Sequence, residues 1–167
     1  MMKIYILRHG EAVDAEEVGG RDQARTLTAK GEKTSREAAR GMLRLEVSPE
    51  AIWTSPYPRA SQTARLTAET LGFKGLCEPV EALQPGADPG IVAGLLQAEF
   101  SDGAIMLVGH NPDLENLIQY LISERDQARV ALKKGGLALV EAVRPLHQGC
   151  ATLVGLWTAR QLARLAG

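Results

Sequence analysis

AIMLVGHNP (residues 104–112) sets five consecutive apolar residues, Ala104 to Val108, ahead of a glycine, a histidine and a proline. A short unbroken apolar run bounded by turn residues fits a strand buried on both faces, the kind found inside a parallel sheet. KIYILRHG (residues 3–10) and AIWTSPYPR (residues 51–59) repeat the pattern: an apolar strand, then polar residues. Between the strands the spacing predicts helices. One is capped by Thr28 and carries Ala38, Met42 and Leu45 one turn apart. A second runs from Arg59 to Leu71, with Gly72 as terminator. Asp88-Pro89 opens a third, reaching about Phe100. Asn111-Pro112, read as cap plus first turn, opens a fourth with Leu114, Leu117, Ile118, Leu121 and Ile122 on its apolar face. Further strands are expected over Leu76–Val80, Leu137–Val143 and Thr152–Trp157, with a closing helix over Ala159–Leu165. Residues 10–27 read as a loop. This alternation predicts an α/β sandwich around a mostly parallel sheet, with residues 1–167 as a single domain.

In such sheets ligands sit beyond the carboxyl ends of the strands. The residues to inspect are therefore Arg8, His9 and Gly10 after the first strand, Ser55 to Ala60 after the second, and Gly109 to Pro112 after the third. Together they offer two arginines and two histidines at one rim. Arginine forks match the oxygens of a tetrahedral anion, and a helix opened at Asn111-Pro112 would add free N–H groups. An imidazole that is unprotonated near neutral pH is a competent nucleophile toward phosphorus.

Composition narrows the partners. With 19 Lys and Arg against 20 Asp and Glu, the net charge is −1, so no bulk field draws nucleic acid or an acidic membrane. Cys77 and Cys150 stand far apart, without disulfide or metal-ligand spacing. The N-terminal apolar run ends in charged residues and does not resemble a signal peptide, and no stretch reaches the length of a membrane helix. The expectation is a cytoplasmic monomer.

RHG at 8–10, SPYPRASQTA at 55–64 and GHNP at 109–112, in that order, resemble the histidine phosphatase superfamily, which includes the phosphoglycerate mutases. RTLTAKG at 25–31 and KKGGLAL at 133–139 bring the chain closest to the short SixA-type protein phosphohistidine phosphatases. The resemblance implies a three-layer α/β/α sandwich and metal-independent phosphatase chemistry that needs no other cofactor. It implies His9 as nucleophile, passing through a phosphohistidine, with Arg8, Arg59 and His110 forming the phosphate pocket. Arg25 is expected to add a cationic contact, with Arg21 as the alternative. Ser55 and Asn111 are further candidates for the pocket lining, Asn111 also as a helix cap.

One departure bears on substrate. Many superfamily members that cleave alkyl phosphates carry an acidic residue after the strand expected here at Leu76–Val80, where this chain has Ala82-Leu83-Gln84-Pro85; Glu81 is the nearest candidate acid. An alkoxide leaving group, with a pKa near that of water at about 15.7, needs such an acid. A phosphohistidine protonated on its other ring nitrogen releases a neutral imidazole, whose conjugate acid has a pKa of about 6.5, and needs none. The expected substrate is therefore a phosphorylated protein, such as a histidine phosphotransfer domain. The alternatives are a small-molecule phosphomonoesterase using Glu81, a non-catalytic phosphate-binding module, and a metal hydrolase built on His9, Glu11, His110 and Asp113.

Overall fold

A computed structural model describes residues 1–125 and 127–167. Among these, six strands form one mixed sheet in the order β3-β2-β4-β1-β5-β6. The strands are β1 (Met2–Arg8), β2 (Ala51–Thr54), β3 (Cys77–Pro79), β4 (Gly103–Gly109), β5 (Leu137–Ala142) and β6 (Ala151–Trp157). The pairs β3/β2, β2/β4 and β4/β1 are parallel, whereas β5 runs antiparallel to both β1 and β6. The AIMLV run is the reason β4 sits centrally: Ile105, Met106, Leu107 and Val108 are fully buried. Burying each large side chain contributes about 1.5–3 kcal/mol, which no edge position would allow. β3 is shorter than its apolar pattern suggests, because Leu76 lies outside it and is exposed.

Among the described residues five helices cover the two faces: α1 (Ala29–Arg44), α2 (Pro58–Leu71), α3 (Pro89–Glu99), α4 (Asp113–Ile122) and α5 (Ala159–Leu165). α3 and α4 pack Val92, Leu96, Leu114, Leu117 and Ile118 against Ile4, Ile6, Ile105 and Leu107 on one face. On the other, α1, α2 and α5 pack Ala38, Met42, Ala60, Ala64 and Leu162 against Tyr5, Leu7, Ile52 and Met106. Period-2 alternation along the strands deals successive residues to opposite layers, so the architecture is a three-layer α/β/α sandwich.

Local signals account for most helix ends. Thr28 accepts from Gly31 N at 2.9 Å and Asp88 from Ile91 N at 3.0 Å, and Gly72 closes α2 with φ +70°. α4 opens differently from its sequence pattern. It begins at Asp113, with Pro112 as its N-cap, and the Asn111 amide donates instead to the Leu132 carbonyl at 2.9 Å. Residues 10–27 contain two short 3-10 turns, Ala15–Val18 and Asp22–Ala24, closed by a bridge between Ala12 and Leu27.

The contact between α1 and α5 leaves no room at Gly41, where an added Cβ would lie 1.8 Å from the Leu162 carbonyl oxygen. Backbone cannot yield there without separating the helices. Gly41→Ala is expected to lower stability by about 1–3 kcal/mol despite its better helix propensity, read as a lower urea midpoint.

Candidate active site

The sheet register brings the three motifs together. Arg8 pairs with Gly109 and Thr54 with Val108, so β1, β4 and β2 end side by side. Backbone hydrogen bonds carry the alignment past the strands: His9 N donates to Gly109 O at 3.1 Å and Ser55 N to Val108 O at 2.9 Å. Gly10 N donates to the Thr63 hydroxyl of α2 at 3.1 Å. Gly10 itself is required by packing against α1, since a Cβ there would meet Ser35 Oγ at 2.7 Å and Gly31 O at 3.2 Å.

His9 and His110 are both buried, with ring centroids 5.2 Å apart. The Nδ1–H of His9 is placed to donate to its neighbour's carbonyl, Gly10 O, at 2.7 Å, which leaves the lone pair on Nε2. His110 Nε2 lies 2.8 Å from Ser55 Oγ. The Ser55 hydroxyl, which also accepts from Tyr57 N at 3.3 Å, can donate to Nε2, and in that tautomer the His110 proton is on Nδ1. Ser55 thus meets the site through His110. Tyr57 stands edge-on to the His110 ring at 5.5 Å and carries the Arg59 guanidinium over its own face at 5.4 Å.

Three arginines surround the rings. Arg8 Nη1 donates to Leu132 O at 3.0 Å; burial lowers its pKa, opposed by the charge of Glu115. Glu115 in turn accepts from Leu132 N at 2.8 Å, so the backbone of one buried residue, Leu132, links Arg8, Asn111 and Glu115. Arg25 Nε donates to Val13 O at 2.6 Å. Arg59 is buried and donates from Nη1 to Asp22 O at 2.7 Å and from Nη2 to Asp22 Oδ2 at 2.9 Å, while Arg25 Nη1 reaches Asp22 Oδ1 at 3.0 Å. Arg21 is exposed and folds back on Val18 O at 3.2 Å.

Burial dominates the titration of both rings. It pulls His9 down to about 4, opposed by the Gly10 carbonyl and assisted by the charges of Arg59, Arg8 and Arg25. His110 falls to about 3, by burial first and then by Arg59 and His9. Both are neutral at pH 7. Four buried polar atoms have no partner among the described residues: Arg8 Nε, Arg59 Nε, His110 Nδ1 and Asn111 Oδ1. Buried donors without partners are costly. Arg8 Nε and Arg59 Nε are donors, as is His110 Nδ1 in the tautomer with its proton there, and a tetrahedral oxyanion offers them acceptors.

Comparison with known proteins agrees with this chemistry. Residues 4–84 match the family model of the histidine phosphatase superfamily, branch 1. Phosphohistidine phosphatase SixA of Escherichia coli (strain K12) is 32% identical over 126 residues, which are 74% of this chain and 73% of that one. The chain belongs to the histidine phosphatase superfamily. It is a phosphatase, a hydrolase acting on phosphoryl groups. Among solved structures, that of the protein histidine phosphatase SixA complexed with tungstate matches with a TM-score of 0.84. It is 26% identical, and the match covers 96% of this chain and 99% of that one. An alpha-ribazole phosphatase from Shigella flexneri shares the fold, with a TM-score of 0.72 and 18% identity over 95% of this chain and 97% of that one.

Other candidate residues have partners of their own. Glu81 is exposed in a 3-10 turn and accepts from the side-chain amide of Gln84. Glu11 is paired with Lys30 at 3.1 Å, and Asp113 accepts from Gly86 N at 3.0 Å. No group of three His, Cys, Asp or Glu side chains among the described residues could hold a metal ion. No helix among them is long and apolar enough to cross a membrane. Asp22 and the Glu115–Leu132 link escaped the sequence reading, and Tyr57 lay in the Ser55–Ala60 stretch without a role assigned to it. Asp22 stands three residues before Arg25, a spacing that hints at pairing; nothing in the sequence connects residue 132 to residue 8.

The depressed pKa values set a pH dependence. An unfolded imidazole titrates at about 6.5, so below that value the unfolded chain takes up protons that the folded rings refuse until about pH 4 for His9 and about 3 for His110. Stability from this source is complete above pH 6.5 and is lost as the pH falls toward 4. The urea midpoint should therefore drop between pH 7.5 and pH 4.5, and drop less in His110→Gln.

Proposed function

We propose that residues 1–167 act as one cytoplasmic catalytic unit that removes the phosphoryl group from a phosphohistidine on a partner protein, through a phosphorylated His9. The observation that carries this reading is the state of His9. Its Nδ1–H is held by Gly10 O at 2.7 Å, and its Nε2 lone pair is free on a neutral ring surrounded by the charges of Arg59, Arg8 and Arg25. Nε2 attacks phosphorus while the P–N bond to the substrate imidazole breaks, and that ring keeps the bonding electrons. Its other nitrogen carries a proton, so it leaves neutral. Arg8, Arg25, Arg59 and the His110 Nδ1–H balance the charge on the phosphoryl oxygens. Asn111 helps by holding the Leu132 peptide that Arg8 uses. Water then attacks phosphorus, the Nε2–P bond breaks, and the water proton leaves with the phosphate or to solvent. His9 returns to its neutral form.

Protein phosphohistidine is favoured by the leaving group. Glu81, the sequence candidate for a general acid, is solvent-exposed and tied to Gln84, and burial and cationic neighbours make both histidines poor proton donors at neutral pH. A phosphoramidate tolerates that lack, whereas an alkyl ester does not. The names of the Escherichia coli relative and of the tungstate-bound neighbour support the same class of substrate. A histidine phosphotransfer domain has the required chemistry: a phosphohistidine exposed on a helix.

The test is phosphate release at pH 7.5 from a phosphohistidine-bearing phosphotransfer domain and from an alkyl phosphate. Release from the phosphoprotein should dominate, with His9→Ala reducing it by at least about 10³-fold and Glu81→Gln leaving it within about twofold. Preference for the alkyl phosphate, with Glu81→Gln inactive, would assign the protein to small-molecule esters instead.

A further inference from the structure

Arg59 is the most deeply buried of the three site arginines, and its environment assigns work to a residue outside the motifs. Both terminal nitrogens of its guanidinium are taken by one amino acid: Nη1 by the Asp22 carbonyl at 2.7 Å and Nη2 by Asp22 Oδ2 at 2.9 Å. The other carboxylate oxygen takes Arg25 Nη1 at 3.0 Å. This occupies the end edge of the Arg59 fork and leaves the side edge, Nε and the second Nη2 proton, for another anion. Nε is one of the buried donors without a partner.

Arg59 is also tied to the same segment through its backbone, with Arg59 N donating to Arg25 O at 3.1 Å. Leu27 N adds a bond to the Gln62 side chain of α2 at 2.7 Å. The 3-10 turn at Asp22–Ala24 therefore lies against the start of α2, with its one carboxylate between two cations that would otherwise repel. Burial pushes the Asp22 carboxyl up, but the hydrogen bonds and charges of Arg25 and Arg59 outweigh it, and the group titrates below its ordinary value. It is a fixed anion at working pH and holds no proton to give a leaving group.

We propose that Asp22 is a positioning residue of the phosphate pocket: it clamps the end edge of Arg59 and the fork of Arg25, and so presents the side edge of Arg59 to the phosphoryl oxygens. This rests on the phosphatase site described above, but not on which phosphorylated molecule is the substrate.

The sign of one change separates this from a simple counter-charge. A carboxylate that only offsets positive charge weakens anion binding, so removing it would tighten binding. A carboxylate that aims two arginines strengthens binding, so removing it loosens it. Binding of tungstate, a tetrahedral dianion, can be measured by calorimetry on the wild type, Asp22→Ala and Asp22→Asn, beside KM and kcat on the phosphoprotein. The expectation is tungstate binding weakened about tenfold or more in Asp22→Ala and less in Asp22→Asn, which keeps one acceptor, with KM raised in the same order. Loss of folded protein would lower the apparent kcat at constant KM, so a raised KM excludes it. Tungstate binding that is unchanged or tighter in Asp22→Ala overturns the proposal. Wild type that binds tungstate but spares phosphohistidine would remove the substrate reading and leave this one to be judged by tungstate alone. Wild type that does not bind tungstate overturns both.

Discussion

The alignment of β1, β4 and β2 is the constraint on which the site depends. In parallel strands with Arg8 opposite Gly109 and Val108 opposite Thr54, the first residues beyond each strand emerge at one edge of the sheet. A shift of one residue in any pair would turn its core side chains to the opposite layer, so the packing that stabilises the sandwich also keeps His9, Ser55 and His110 in register. The same helices that bury the core then finish the pocket. α2 brings Arg59 and the Thr63 hydroxyl, and the start of α4 brings Asn111 to the Leu132 carbonyl.

Electrostatics at this edge are unusual for a protein whose net charge is −1. Arg8, Arg25 and Arg59 converge on two imidazoles that stay neutral, so the positive charge is concentrated on groups that cannot lose it. Neutral histidines beside fixed cations suit a phosphoryl acceptor: the ring keeps its lone pair while the arginines supply the field. The arrangement is costly to bury. Asp22 and Glu115 each offset part of that cost from outside the ring of catalytic candidates, one through two ion pairs and the other through its field at Arg8 and its bond to the Leu132 peptide.

The segment ahead of β5 supplies backbone where the other elements supply side chains. Gly135, with φ +67°, turns its N–H toward the Arg8 and His9 carbonyls, at 3.1 and 3.0 Å, while Arg8 N donates to Gly136 O. Two glycines in KKGGLAL let the chain pass this close: a Cβ at Gly136 would meet Lys133 O at 2.8 Å. His9 is therefore fastened through its backbone on both sides, by β4 through Gly109 and by this turn.

The sequence by itself determined the layers and the edge where chemistry would sit. Hydrophobic period, caps such as Thr28 and Asp88, and terminators such as Gly72 are written over a few neighbouring residues, so strands and helices could be read nearly to their ends. Arg8, His9, Arg59 and His110 were legible as candidates because each lies at or shortly after a strand end in a recognisable pattern. The tertiary structure alone decided what those residues touch. Burial lowers the two imidazoles, Arg25 rather than Arg21 joins the electrostatics of the rings, and Asn111 serves Leu132 instead of capping α4. Asp22, 37 residues from Arg59, and Leu132, 124 from Arg8, meet their partners through the packed sheet. Contacts at such separations depend on how layers close over one another, and no local pattern of residues encodes that.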